Sequence, residues 1–276
     1  MTGVTAHKPY GAGVRVLAVT NQKGGVGKTT TAINLGTAMA AIGERVLIID
    51  IDSQGNASTG VGIEPAQRRV TTYDVLKGTC SLVEAALPTA VPKLSIVPAN
   101  HDLIGFDAEL PGDRTRPFKL RDAIAAMAET PGGAPYSYIL IDCPPSLNLL
   151  TLNALTAAHA LLVPVQCEFF AIEGIAQLNE TIEQIRATLN PGLYIQGVVL
   201  TMHDQRLGLT REVAAEVRAA FGAKVYETVI PRNVKVAEAP SHGQPILLYD
   251  YDCSGSQAYI KLATEIIDRE KLLKAA

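Results

Sequence analysis

The chain has 276 residues, with 24 Lys and Arg against 27 Asp and Glu for a net charge of −3, and 47% of it is hydrophobic. That balance excludes a protein that grips nucleic acid through overall positive charge, so any DNA contact must come from a local basic patch. No apolar run approaches the roughly eighteen residues needed to span a bilayer, and the four cysteines, Cys80, Cys143, Cys167 and Cys253, lack CxxC spacing, which argues for reduced thiols over a zinc site or a disulfide framework.

Residues 1–13, with Gly, Pro and Thr and no long apolar core behind a basic start, read as a flexible leader and not as an export signal. Residues 14–276 read as a single domain. Val14–Thr20 is a short β-branched run followed by a glycine cluster, and a helical pattern then extends from Thr29 to Ile42 and stops at Gly43. Arg45–Ile51 is a second apolar run, too continuous to be half solvated, as expected of a parallel strand covered on both faces. Further strands are expected at Leu94–Pro98, Tyr138–Asp142, Ala160–Val165 and Tyr194–Thr201, with helices such as Phe118–Ala128 and Ile172–Leu189 between them and a loop at Pro131–Pro135. Gln257–Leu273 carries Tyr259, Leu262, Ala263, Ile266 and Ile267 at helical spacing, with acids and bases mixed on the other side, so it predicts a helix packed on the sheet. Strands alternating with helices imply a doubly wound α/β fold, a mainly parallel sheet with helices on both faces.

The glycine cluster carries the chemistry. Gln22-Lys-Gly-Gly-Val-Gly-Lys-Thr29 fits the phosphate-loop pattern, with glutamine at the usual first glycine and an additional lysine, Lys23, near the start. In such a loop backbone amides surround phosphates and the helix N-terminus adds partial positive charge. Lys28 is placed to pair with the β and γ phosphates, the Thr29 hydroxyl to coordinate magnesium, and Thr30 to donate to the α phosphate. Tyr138–Asp142 is an apolar strand ending in an acid, so Asp142 is expected to help hold the metal through water. Asp50 and Asp52 close the second strand beside this loop, where either could reach the metal or an attacking water, or simply cap a turn before Gly55.

The segments Lys23–Leu35 (KGGVGKTTTAINL), Ile49–Ser58 (IDIDSQGNAS), Ile139–Asn148 (ILIDCPPSLN) and Ile230–Asp250 (IPRNVKVAEAPSHGQPILLYD) together resemble the ParA, or Soj, family of DNA-partitioning ATPases. The first segment is shared by the wider deviant Walker A group of P-loop NTPases, including MinD and the nitrogenase iron protein; the fourth is much more particular to ParA. The resemblance implies a slow ATPase using ATP and Mg2+ and forming an ATP-sandwich homodimer. Lys23 crosses to the partner's phosphates, Gly24 stays small for that approach, Asp52 positions or activates water, and Pro231 with Asn233 lies along the adenine. With Gly25, Val26, Gly27, Lys28, Thr29 and Thr30 these complete the expected nucleotide site. Ser53 departs from the family's usual proline, which predicts a more mobile loop around Asp52.

The resemblance further implies nonspecific binding of double-stranded DNA by the dimer through Arg206, Arg232 and Lys235, with Lys224, Arg211 and Arg218 as weaker candidates. A single exposed base is commonly just solvated, and only the clustering over Arg206–Lys235 points to phosphate contact. A ParB-like centromere-binding partner would stimulate hydrolysis, and the expected location is the cytoplasm, on the nucleoid. The rival readings are a MinD-like membrane ATPase, for which only Lys271–Ala276 remains beyond the last core helix, and an iron protein, for which Cys143 has no evident companion. A nucleotide-gated scaffold with little turnover is the non-enzymatic alternative.

Overall fold

In the computed structural model of the chain, residues 13–109, 112–130, 134–168 and 171–275 are described. The leader expected over residues 1–13 therefore lies outside the described residues except for Gly13, as do residues 131–133 of the Pro131–Pro135 loop. Seven strands form one sheet: β1 (Arg15–Val19), β2 (Val46–Asp50), β3 (Leu87–Pro88), β4 (Leu94–Val97), β5 (Tyr138–Asp142), β6 (Ala160–Gln166) and β7 (Tyr194–Thr201), in the order β3-β4-β2-β5-β1-β6-β7. All neighbours run parallel except the short β3, which pairs antiparallel with β4. The helices are α1 (Lys28–Ala41), α2 (Asn56–Gly60), α3 (Thr72–Lys77), α4 (Leu82–Ala85), α5 (Phe106–Glu109), α6 (Lys119–Ala128), α7 (Leu149–Ala157), α8 (Ala171–Thr188), α9 (Gly208–Phe221), α10 (Val234–Glu238), α11 (Ile246–Tyr249) and α12 (Ser254–Ala275).

Alternate residues of each strand feed two cores, one on each face. Val16, Ala18, Leu47, Ile49, Ile139 and Ile141 pack with α3 to α9, whereas Leu17, Val19, Ile48 and Leu140 pack with α1, α2 and α10 to α12. Burial on both sides explains why the strands read as unbroken apolar runs. Helix α1 lies close on the sheet at Gly36, where an added Cβ would stand 3.2 Å from Ile48 Cδ1. The end helix is longer than expected: it begins at Ser254, three residues ahead of the amphipathic pattern, because Asp250 and Cys253 turn the chain just before it.

Because the strands are parallel, one edge of the sheet collects every strand's C-terminal end. There Asp50 and Asp142 sit opposite each other in register, and Val19, the last residue of β1, pairs with Asp142. The opposite edge is closed by a set of polar bonds: Arg15 Nε meets Glu270 Oε1 at 2.6 Å, Arg15 Nη2 donates to Gln196 Oε1 at 2.6 Å, and the Tyr138 hydroxyl donates to Glu270 Oε2 at 3.1 Å. Beside them the Val16 amide donates to His159 Nδ1 at 2.9 Å. The lateral edges are blunt. One ends in the two-residue β3 with Pro88, and the other, along β7, is covered by bridges from Val198 to Val225 and from His203 to Pro231.

Candidate active site

Between β1 and α1 the chain turns through Gly25 (φ 74°) and Gly27 (φ 87°), both in the left-handed region that favours glycine. Gly27 is the N-cap of α1 and supplies no side-chain cap, and no acid occupies the first turn, so the first amides of a 14-residue helix remain available to an anion. The loop is anchored from three sides. Asn21 accepts from the Lys23 amide at 3.0 Å and donates to the Pro164 carbonyl at 2.8 Å; Thr201 Oγ1 donates to the Val26 carbonyl at 2.8 Å; Gln22 Nε2 donates to Thr181 Oγ1 on α8 at 2.8 Å. Gln22, where the usual pattern has glycine, thus ties the loop to a neighbouring helix.

The two lysines behave differently. Lys28 is 7% exposed and donates to the Lys23 carbonyl at 2.9 Å; burial lowers its pKa, and the charge of Asp142 is the largest opposing influence. Lys23 is more open and its Nζ meets Glu168 Oε2 at 2.6 Å. Gly24, between them in sequence, is exposed, and a Cβ built there meets nothing within 4 Å. A cleft of about 580 Å3 is bordered by this loop, by Asp52 and Ser53, and by Pro144, Ser146 and Asn148 from the segment after β5.

Asp142, which ends β5 just before the segment that borders the cleft, is fully buried, and neither of its carboxylate oxygens has a hydrogen-bond partner among the described residues. Burial, and next the charge of Asp50, push it well above the ordinary carboxylate range; the Thr29 hydroxyl faces it and opposes the shift without completing a bond of ordinary geometry, and Lys28 acts in the same sense. A buried carboxylate left unpaired and faced by a hydroxyl offers oxygen atoms that a hard divalent cation or its bound water satisfies. Magnesium fits these residues.

Asp50 is equally buried, but its carboxylate is bonded inside the chain. Oδ1 accepts from the Asp52 amide at 3.2 Å, and Oδ2 accepts from the Ser58 amide at 2.9 Å and the Ser58 hydroxyl at 2.7 Å. Burial raises it to about 6 against the lowering effect of the Ser58 bonds. These bonds give Asp50 a structural task, because one carboxylate fastens both ends of the loop from Asp52 to Ser58. Within that loop the Gly55 amide bonds the Asp52 carbonyl at 2.9 Å and the Gln54 amide bonds Asp52 Oδ1 at 3.0 Å, so Ser53 stands in a closed turn without the proline.

A second cleft, of about 340 Å3, opens beside Gly27 and Thr30 and is lined by Met202, Pro231, Asn233 and Tyr259. Asn233 caps α10, its Oδ1 accepting from the Lys235 amide at 2.8 Å, and its Nδ2 donates to Ser254 Oγ at 3.0 Å. Met202 holds a positive φ of 49°, unusual for a side-chain-bearing residue, and was not foreseen.

The bridge from His203 to Pro231, with Arg232 N donating to the His203 carbonyl at 3.1 Å, brings the loops of Arg206 and Arg232 together just beyond β7. Arg206 is 88% exposed and paired with Asp204, and Lys235 is paired with Glu238 at 3.4 Å. Arg211 lies exposed on α9, and Arg218 reaches Glu227 at 3.8 Å. Lys224 precedes Val225, which bridges the middle of β7, and so stands away from the sheet's C-terminal edge.

The parallel sheet with a glycine loop entering α1 defines a P-loop nucleotide-binding protein, and residues 14–195 match the AAA domain family. The chain is 62% identical to the chromosome partitioning protein ParA of Caulobacter vibrioides, over 94% of this chain and 96% of that one, and 48% identical to the sporulation initiation inhibitor protein Soj of Bacillus subtilis, over 91% and 98%. It belongs to the ParA/Soj family of chromosome-partitioning ATPases. Among solved structures, it resembles a Mycobacterium smegmatis protein described as cobyrinic acid a,c-diamide synthase with bound ADP and magnesium (TM-score 0.80, 35% identity, 94% of this chain and 96% of that one). It also resembles the septum site-determining protein MinD of Pyrococcus horikoshii complexed with Mg-ADP (TM-score 0.74, 26% identity, 92% and 96%).

Proposed function

We propose that residues 14–276 form one ATPase domain that partitions DNA in a nucleotide-driven cycle. ATP joins two subunits across their phosphate loops, and the dimer holds double-stranded DNA without sequence preference. A ParB-like partner then stimulates slow hydrolysis, and the dimer separates from DNA. The observation that carries this reading is the pairing of a buried Lys28 with an open Lys23 around one glycine loop. Gly24 supports it, since it lies exposed on that loop with nothing of its own subunit within 4 Å of an added Cβ, which leaves room there for a second subunit.

In this reading Lys28 and the first amides of α1 bind the β and γ phosphates, and Thr30 donates to the α phosphate. Thr29 and, through water, Asp142 hold magnesium, which when bound neutralises charge on the phosphate oxygens. Asp52 orients and activates the attacking water, with Asp50 and Ser58 fixing its loop. The partner subunit's copy of Lys23 adds a cation where charge develops on the transferred phosphoryl. Pro231, Met202 and Asn233 border the base. Arg206, Arg232 and Lys235 meet DNA phosphates, and the protein works on the nucleoid.

Binding of a random-sequence duplex compared between ATP, ADP and no nucleotide tests the cycle. Tight binding with ATP alone is the expected result; equal binding in all three states, or capture by liposomes in place of DNA, overturns it.

A further inference from the structure

Arg206 does not present a free guanidinium. Its Nε donates to Asp204 Oδ1 at 2.9 Å and its Nη2 to Asp204 Oδ2 at 2.7 Å, a two-pronged pairing that occupies the face with which arginine grips a phosphate. The acid is the fixed partner: Asp204 is 14% exposed against 88% for the arginine, and its Oδ1 also accepts from the Arg206 amide at 3.1 Å, closing a turn. The Arg206 side-chain bonds hold the Asp204 pKa down at about 2, with the charge of Arg232 a smaller influence in the same direction, so the negative charge persists at every pH of interest. Asp204 therefore acts on both arginines that the His203–Pro231 bridge brings together.

We propose that Asp204 is a built-in competitor for DNA phosphate, which folds Arg206 back on itself and sets the affinity of the Arg206–Arg232 patch; this rests on the DNA-binding reading above. The chemistry is an exchange of one anion for another. A carboxylate and a phosphate offer the same paired oxygens, and while Asp204 holds the guanidinium the pair contributes no net charge to a phosphate backbone. Because an exposed ion pair is worth only about 0–1 kcal/mol, the competitor is displaceable, so it tunes binding without abolishing it.

The competitor also lies close to the nucleotide. Met202, two residues earlier, lines the base cleft, and its Cε stands 3.7 Å from where a Cβ on Gly27 would lie. The same short loop thus touches the phosphate loop at one end and carries the masking acid at the other. His203 fastens it, donating to the Ile230 carbonyl at 3.0 Å and accepting from Arg232.

The test is binding of a fluorescent random-sequence duplex to full-length ATP-bound protein across a salt series, for wild type, Asp204→Asn, Arg206→Gln and the double variant. Asparagine keeps the oxygen that closes the turn and removes the charge; Asp204→Ser serves the same purpose if the asparagine variant melts early. Asp204→Asn should tighten binding about 3- to 5-fold, the equivalent of the displaced ion pair, and steepen the salt dependence by up to one phosphate contact, a slope change of about 0.9. In the Arg206→Gln background the same change should bring little gain. Binding by Asp204→Asn that equals or falls below wild type overturns the proposal and makes Asp204 an aiming residue for Arg206. An undiminished gain in the double variant overturns it too, leaving a general charge effect. If wild type binds no DNA with ATP, the DNA reading itself fails, and if Asp204→Asn is then equally silent the inference falls with it.

Discussion

The two ends of the central strands each bury a carboxylate, and the chain treats them in opposite ways. At the N-terminal edge Glu270, 4% exposed, is met by Arg15 and by the Tyr138 hydroxyl, so its charge is balanced and its oxygens are bonded. At the C-terminal edge Asp142 is buried to the same degree with both oxygens unbonded and with Asp50 facing it in register. Burial alone therefore does not identify a site. A satisfied charge holds the fold, whereas an unsatisfied one marks where something from outside belongs.

The sharpest way to break this contrast is Lys28→Ala. It should weaken ATP binding by at least about 30-fold, since truncating one partner of a buried charged contact costs about 2–5 kcal/mol, as measured by calorimetry. Next comes Glu270→Gln, which leaves Arg15 largely buried and half paired; it should lower unfolding free energy by about 3 kcal/mol in denaturant titrations while nucleotide affinity holds. Asp142→Asn should do the reverse. Asparagine leaves a buried, unbonded group of the same shape, so the unfolding free energy of the nucleotide-free protein should stay within about 1 kcal/mol of wild type, and the ability of magnesium to tighten nucleotide binding should disappear. An Asp142→Asn protein less stable than wild type by about 3 kcal/mol or more would contradict the idea that its oxygens lack partners within the chain.

The smallest effect concerns pH. His159 accepts from the Val16 amide and is held neutral: burial, then the neighbouring Arg15, lower its pKa from 6.5 to about 4. The unfolded chain takes up that proton first as the solution acidifies, so this contribution to stability is lost as pH falls from about 6.5 to about 4. His159→Asn, which can still accept the Val16 bond, should flatten that limb of a melting-temperature profile. An unchanged slope would remove His159 from the stabilising end.

Much of this was legible because the decisive signals are local. Strands covered on both faces must be continuous apolar runs, which exposed β1, β2, β5 and β6; the register that sets Asp50 beside Asp142 belongs to the folded sheet. The loop's glycines and Lys28 declared themselves because positive φ and a following helix constrain adjacent residues. What escaped the reading depends on partners far along the chain. Glu168 lies 145 residues from Lys23, and no pattern around either announces their bond. Asp50 looked like Asp52 because both close the second strand, and only the position of Ser58 reveals that one carboxylate also serves as a clasp. Met202 gave no signal either, because its backbone conformation answers to the loops from Pro231 and Gly27 and not to its own neighbours. The strand β3 is two residues long and contains a proline, below what alternation can detect.

That same β3 bears on how the sheet avoids edge-to-edge aggregation. Its Pro88 ends one side of the sheet without a row of donors, and on the other side β7 is already bridged by Val225 and continued by the His203–Pro231 pair. Both sides are thus poor templates for a further strand. The sheet comes to an end within the subunit on both sides, and its blunt sides guard it against strand-by-strand aggregation.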